Sequence, residues 1–224
     1  MMNKKLLCLA AVALASSVTA AQAQSAGSFS VRLGATQIRP QVESGNLSEP
    51  SFVGTTIDIK KASQVSGGIN YMVSDNISID VPFGLPYKHD VVGDGAIAGV
   101  GRLATVKSLP ITALAQYHFG EAASRIRPYV GAGATYARFY RAETTAALSG
   151  LTGGTPSSPT YMTMKNAWGP ALELGVAVKL GGNWFASMDV KKVFLKTTGH
   201  LSSGQSIDTT LDPLAISAAI GYSF

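Results

Sequence analysis

His89-Asp90, and His200 with Ser202 and Ser203, are the residues whose types could run nucleophilic chemistry in this chain. A serine, a histidine and an acid at a membrane rim would suit an acyltransferase or a protease, provided that the three meet. Nothing in the pattern brings them together, because the two groups fall on extended segments that are not neighbours. His118 stands apart from both, and His89 reads as a rim residue at the outer end of its strand. Three dispersed histidines without ligand spacing define no metal site. Neither a cofactor nor catalysis is expected.

A second set of residues carries a different chemistry. Asp80, Gln116, His118, Glu173, Lys179, Asp189 and Lys191 fall between apolar neighbours in a period-2 pattern. Ile77, Ile79, Val81 and Phe83 alternate with Ser78, Asp80, Pro82 and Gly84. Leu172, Leu174, Val176 and Val178 alternate with Glu173, Gly175, Ala177 and Lys179. If the apolar face meets lipid, the polar set lines a bore. Its opposite charges then form a constriction that stops ions, or simply fill an interior whose charges must pair.

Eight strands are needed to position these residues, at 27–39, 59–72, 76–88, 103–119, 125–141, 163–180, 184–197 and 207–224. Tight connections at Ser74-Asp75-Asn76, 120–124 and Gly181-Gly182-Asn183 hold residues that accept turn geometry. Long ones at 40–58, 89–102, 142–162 and 198–206 alternate with them. The resulting expectation is an all-β, eight-stranded antiparallel up-and-down transmembrane barrel with short periplasmic turns and long extracellular loops. The stretch 127–134 is too rich in small residues for its faces to be assigned.

A soluble lipocalin-like barrel would show the same alternation turned inside out. Three features favour lipid outside. Tyr71, Tyr117, Phe119, Trp184, Tyr222 and Phe224 gather where strands meet the short turns, as an interfacial girdle does. The opposite face is charged, and the loops are unequal in length. Arg39, Lys60, Lys61, Lys88, Arg102 and Lys192 gather at the long-loop ends, where lipopolysaccharide phosphates would meet them; the plainer reading is a solvated rim. Pro110 and Pro213 lack the ladder donor, so each should mark a break in a wall with no edge. A break is either a sideways exit or only a bulge.

The two ends agree with export to such a membrane. Lys4 and Lys5, the apolar run 6–15 and Ala21-Gln22-Ala23 read as a signal peptide cleaved after residue 23, leaving 24–224 as the barrel. Cys8, the only cysteine, lies inside that segment, so the mature chain has no disulfide. Loss of Lys4 and Lys5 lowers the net charge from +5 to +3, too small a bias to suggest nucleic acid. The alternating segment from Leu214 ends on Tyr222 and Phe224, the form expected of a signal for barrel-assembly machinery.

The chain resembles the OmpW family of small outer-membrane barrels. The likeness is carried by 71–77 (YMVSDNI), 109–120 (LPITALAQYHFG), 127–133 (RPYVGAG), Trp168-Gly169, Leu211-Asp212-Pro213 and the closing Gly221-Tyr222-Ser223-Phe224. It implies a narrow, largely apolar channel that passes small hydrophobic molecules, with release sideways into the lipid, and loops that serve as bacteriocin receptors. The inward Asp80, Glu173, Asp189 and Lys191 depart from an apolar tube. They suit an upper apolar pocket above a polar, salt-bridged plug.

Overall fold

The structure, a computed structural model, describes residues 24–224; the expected signal peptide lies outside the described residues. Fourteen strands, β1 to β14 in chain order, build the wall and its outer extension. The first wall strand is β1 (Phe29–Arg39), with β2 (Glu43–Ser44) beyond it. The second is β3 (Thr55–Ile59) with β4 (Ala62–Met72), and the third is β5 (Ile77–Gly84) with β6 (Tyr87–Gly95). The fourth and fifth are the long β7 (Arg102–His118) and β8 (Ile126–Thr144). A short helix α1 (Ala146–Thr152) then leads to the sixth, β9 (Met162–Met164) with β10 (Ala167–Gly181). The seventh joins β11 (Trp184–Val193) to β12 (Lys196–Leu201), and the eighth joins β13 (Ser206–Thr210) to β14 (Leu214–Ser223).

Each wall strand pairs antiparallel with the next, and β1 pairs with both β4 and β14, so the sheet closes on itself. Closure removes the sheet's free edges, which is what hydrocarbon demands of a β-structure. Above the wall, β2, β13, β12 and β9 continue as a separate four-stranded sheet. Among the described residues no helix is long and apolar enough to cross a membrane.

The wall is apolar on its outside. Leu33, Ile79, Ile111, Leu174 and Ile220 are all more than half exposed, while Arg32, Asp80, Gln116, Glu173 and Asp189 are buried. An aqueous protein would invert that distribution. Around the short-turn end, Tyr222 packs edge-on against Trp184 and Phe224 at 5.2 and 5.0 Å, and Tyr117 against Phe119 at 5.1 Å.

The turns fall where the sequence places them, but the strands run further outward than expected. Half of the expected loop 89–102 is strand β6, and the expected loop 40–58 contains β2 and most of β3. The expected loop 142–162 holds α1, and β12 continues into 198–206. The fifth strand takes definite faces: Arg127 and Tyr129 are buried inside, and Ile126 and Val130 lie outside.

The bore is narrow enough that large inward side chains lie over glycines on the neighbouring strand. A Cβ built on Gly175 would stand 2.4 Å from the Tyr129 ring, one on Gly221 2.3 Å from Phe185, and one on Gly68 2.6 Å from the Arg32 guanidinium. These glycines are there for room. Replacing Gly175 by valine should therefore destabilise the barrel by about 1–3 kcal/mol, the range for overpacking. Urea unfolding in lipid vesicles measures this; an unchanged midpoint would mean that the Tyr129 ring has somewhere else to go.

Candidate functional site: a pocket, its floor and an open seam

The centre of the bore is a layer of charge. Arg32 donates from both terminal nitrogens to Asp80, at 2.5 and 2.7 Å, and the Asp80 side chain is completely buried. These residues stand two strands apart, on β1 and β5. Between them runs β4, whose Gly68 lies opposite Arg32 and leaves it room to cross. On the far wall Lys191 donates to Glu173 at 2.5 Å and also to Asp189. Gln116 links the groups: its amide nitrogen donates to Glu173 at 2.5 Å, while its oxygen accepts from Asn70 at 2.8 Å and Ser78 at 3.0 Å. His118 Nε2 lies 2.9 Å from the Ser78 hydroxyl. Six of the seven expected bore residues thus share this layer. Lys179 lies lower and donates to the Ala122 carbonyl at 2.7 Å.

Below the layer lies a small void of about 30 Å³, between Gln24, His118, Tyr129 and Phe185. Arg127 closes the periplasmic mouth beneath it. Its guanidinium donates to the Gln24 carbonyl at 2.9 Å and to the Asp75 carbonyl at 2.6 Å. The downward path is sealed twice.

Above the layer lies a cavity of about 120 Å³, floored by Arg32, Asp189 and Lys191. Ile38, Ile59, Val91, Val106, Phe139 and Leu195 supply apolar wall, interrupted by single polar groups such as Tyr87, His89 and Ser108. An apolar cavity of roughly 150 Å³ stays dry and holds a benzene-sized guest, so this one matches a single-ring solute in scale. His89 belongs to this wall and is only 6% exposed, which corrects its expected place on the rim. The cause is a change of parity. Up to Leu85 the odd-numbered residues of the third wall strand face out; from Tyr87 they face in. The second wall strand changes in step, with Val65 outside and Ile59 inside.

The cavity also reaches a gap in the wall. β5 pairs with β7 only from Ile77↔Tyr117 to Asp80↔Leu114, and pairing resumes one residue out of step at Tyr87↔Ser108. Residues 81–86 and 109–113 thus face each other without a ladder. Pro82 and Pro110 border this gap, and neither has an amide hydrogen to give. Pro82, Phe83, Gly84 and Pro110 all line the cavity, and Phe83 is also 47% exposed on the outside. Pro213 also lines the cavity but lies away from this gap, between β13 and β14. There its carbonyl accepts from Val193 at 3.0 Å, and Asp212 accepts from the Leu195 amide at 2.9 Å. No comparable opening borders it.

The remaining expected residues sit outside the pocket. Arg39, Lys60, Lys61, Lys88 and Arg102 are exposed; Lys60 pairs with Asp58 at 2.6 Å, and Arg102 lies 3.7 Å from Asp90. Lys192 is tied down by Gln41 and by the Asp212 carbonyl. His200 lies on β12 in the outer sheet, paired with Ser206, away from the elements that carry His89.

Sequence reading missed Arg32, Arg127, Tyr87 and the inward turn of His89. Arg32 sat visibly on the polar face of its strand, but its partner could not be chosen without the cross-strand register.

A closed antiparallel barrel that is apolar outside and charged at its centre is a transmembrane protein of the bacterial outer membrane. The sequence matches the OmpW family over residues 25–224, and the chain belongs to that family. It is 30% identical to "Outer membrane protein W" of Vibrio cholerae serotype O1, over 99% of this chain and all of that one. It is 28% identical to the "Dibenzothiophene metabolism operon protein PahQ" of Pseudomonas aeruginosa, over 76% of each chain. Among solved structures, OprG of Pseudomonas aeruginosa superposes with a TM-score of 0.81 at 25% identity, covering 91% of this chain and 98% of that one.

Proposed function

We propose that this barrel is a passive uptake channel for small hydrophobic molecules, which enter the upper pocket from outside and leave sideways through the gap between the third and fourth wall strands. The observation that supports this most is the joining of three features: an apolar cavity, a floor of paired charges beneath it, and an unpaired seam at its side. A solute that cannot cross the charged layer still has a short route into lipid past Phe83. The relative PahQ takes its name from a dibenzothiophene metabolism operon, which accords with an aromatic cargo. No chemical step is needed, and none is assigned to His89 or His200.

In the same reading the exposed Arg39, Lys60, Lys61, Lys88 and Arg102 contact lipopolysaccharide phosphates. Tyr222 and Phe224, at the end of the closing strand, carry the signal for barrel assembly, and 1–23 is the segment removed on export. A receptor barrel that binds only through its loops is the alternative, and it makes no use of the cavity.

Filling the pocket separates the two readings. Ala137 is 5% exposed and lines the cavity. Ala137→Trp should reduce entry of radiolabelled toluene into vesicles with a lipopolysaccharide outer leaflet to the protein-free rate. Heat-modifiable migration checks that the variant barrel has formed. Entry by the wild-type protein at the protein-free rate would remove the channel.

A further inference from the structure

Among the polar groups of the cavity wall, the His89 imidazole keeps an acceptor that the protein itself leaves unused. His89 Nδ1 lies 2.9 Å from the Lys60 carbonyl. A carbonyl only accepts, so Nδ1 carries the proton, and the Nε2 of the neutral ring is left as an acceptor. Nε2 has no hydrogen-bond partner among the described residues, although the residue is 94% buried, its exposure being 6%. Nor is Nε2 among the fully enclosed unpartnered atoms. Since His89 lines the cavity, this nitrogen opens onto it. Buried acceptors are normally satisfied, and one that is open to a pocket is satisfied by what enters.

The floor adds a second constraint on the guest. Asp80, Glu173 and Asp189 face Arg32 and Lys191, so carboxylates outnumber cations by one in the layer beneath the cavity. Both cations are already held by those carboxylates. An anionic guest would find neither a free cation below nor a donor at His89.

We propose that His89 is the polar anchor of a site for neutral single-ring aromatics or short apolar molecules that bear one hydroxyl. The hydroxyl donates to Nε2 while the apolar body lies against Val91, Val106 and Ile59. Phenols and benzylic alcohols fit this description; their ethers lack the donor, and carboxylates lack it and are repelled. This rests on the uptake reading for the location of the site, and it adds the class of cargo.

The test compares two probes of nearly equal size, 4-fluorophenol and 4-fluoroanisole, titrated by fluorine NMR onto the barrel in lipid nanodiscs. Empty nanodiscs provide the partition baseline. The wild-type protein should bind the phenol more tightly than the ether by roughly threefold to tenfold, the worth of one neutral hydrogen bond in a pocket. His89→Leu should remove that preference while leaving ether binding in place, and His89→Gln, which keeps an acceptor, should restore part of it. Saturable binding of both probes with no preference, or a preference that His89→Leu leaves intact, overturns the assignment but spares the channel. Binding of neither probe above the baseline overturns both.

Discussion

Replacing Lys191 by methionine should lower the stability of the barrel by about 3–5 kcal/mol, the cost of removing one partner from a buried ion pair. The reason is what stays behind. Glu173 and Asp189 have side chains at 0% and 2% exposure, and Lys191 is the cation that contacts both. Without it, two carboxylates share a low-dielectric space with no countercharge between them, and Gln116 can answer only one oxygen of Glu173. Urea titration in lipid vesicles, followed by the fluorescence of Trp168 and Trp184, would show a lower midpoint. The triple variant E173Q/D189N/K191M should recover most of the loss, because it removes the charges together rather than stranding two. Ion leakage should stay low in the triple variant, since Arg32–Asp80 and the Arg127 closure remain in place. Equal midpoints for K191M and wild type would show a floor that is wet and weakly coupled.

That network also shows which parts of the site could be read from sequence. Asp80, Glu173, Asp189 and Lys191 were legible because each interrupts an apolar alternation, and in lipid that alternation has a forced meaning. The short turns were legible too, since Gly120, Gly181 and Gly182 take positive φ of 77°, 144° and 54°. Arg32 as the partner of Asp80 was not. The pair spans two strands across Gly68, and register comes from the closed sheet rather than from either segment.

The ends of the strands were illegible for another reason. β6 and β12 still alternate in burial, but polar residues such as His89, Thr197 and His200 stand on both faces there, so hydropathy no longer marks where they stop. The inward turn of His89 was hidden by the parity change near Pro86. A period-2 reading carried upward from Ile77 puts every odd residue outside, and it fails at the irregularity that leaves the seam open. For 127–134 the difficulty was contrast. Alternating Gly and Ala differ too little to name a face, and only Arg127 and Tyr129 fix it.

Locking the seam should stop uptake without emptying the pocket. Phe83 and Ile111 stand on opposite sides of the unpaired stretch, and both are exposed on the lipid face, at 47% and 53%. The single cysteine of the chain, Cys8, lies in the expected signal peptide, so F83C/I111C would carry the only thiols of the mature protein. Joining them with a short bis-thiol reagent fixes the two strands where no backbone hydrogen bonds do. Toluene entry should then fall to the protein-free rate and return on cleaving the link with reductant, while probe binding in the cavity persists. The comparison isolates the route because the cross-link touches neither the charged floor nor the periplasmic closure. If entry continues with the seam locked, the solute leaves downward, and the Arg32–Asp80 layer must open to let it through. If entry and binding are lost together, Phe83 is part of the binding site rather than its door. Only the loss of entry with binding intact makes the missing ladder between residues 81–86 and 109–113 a gate.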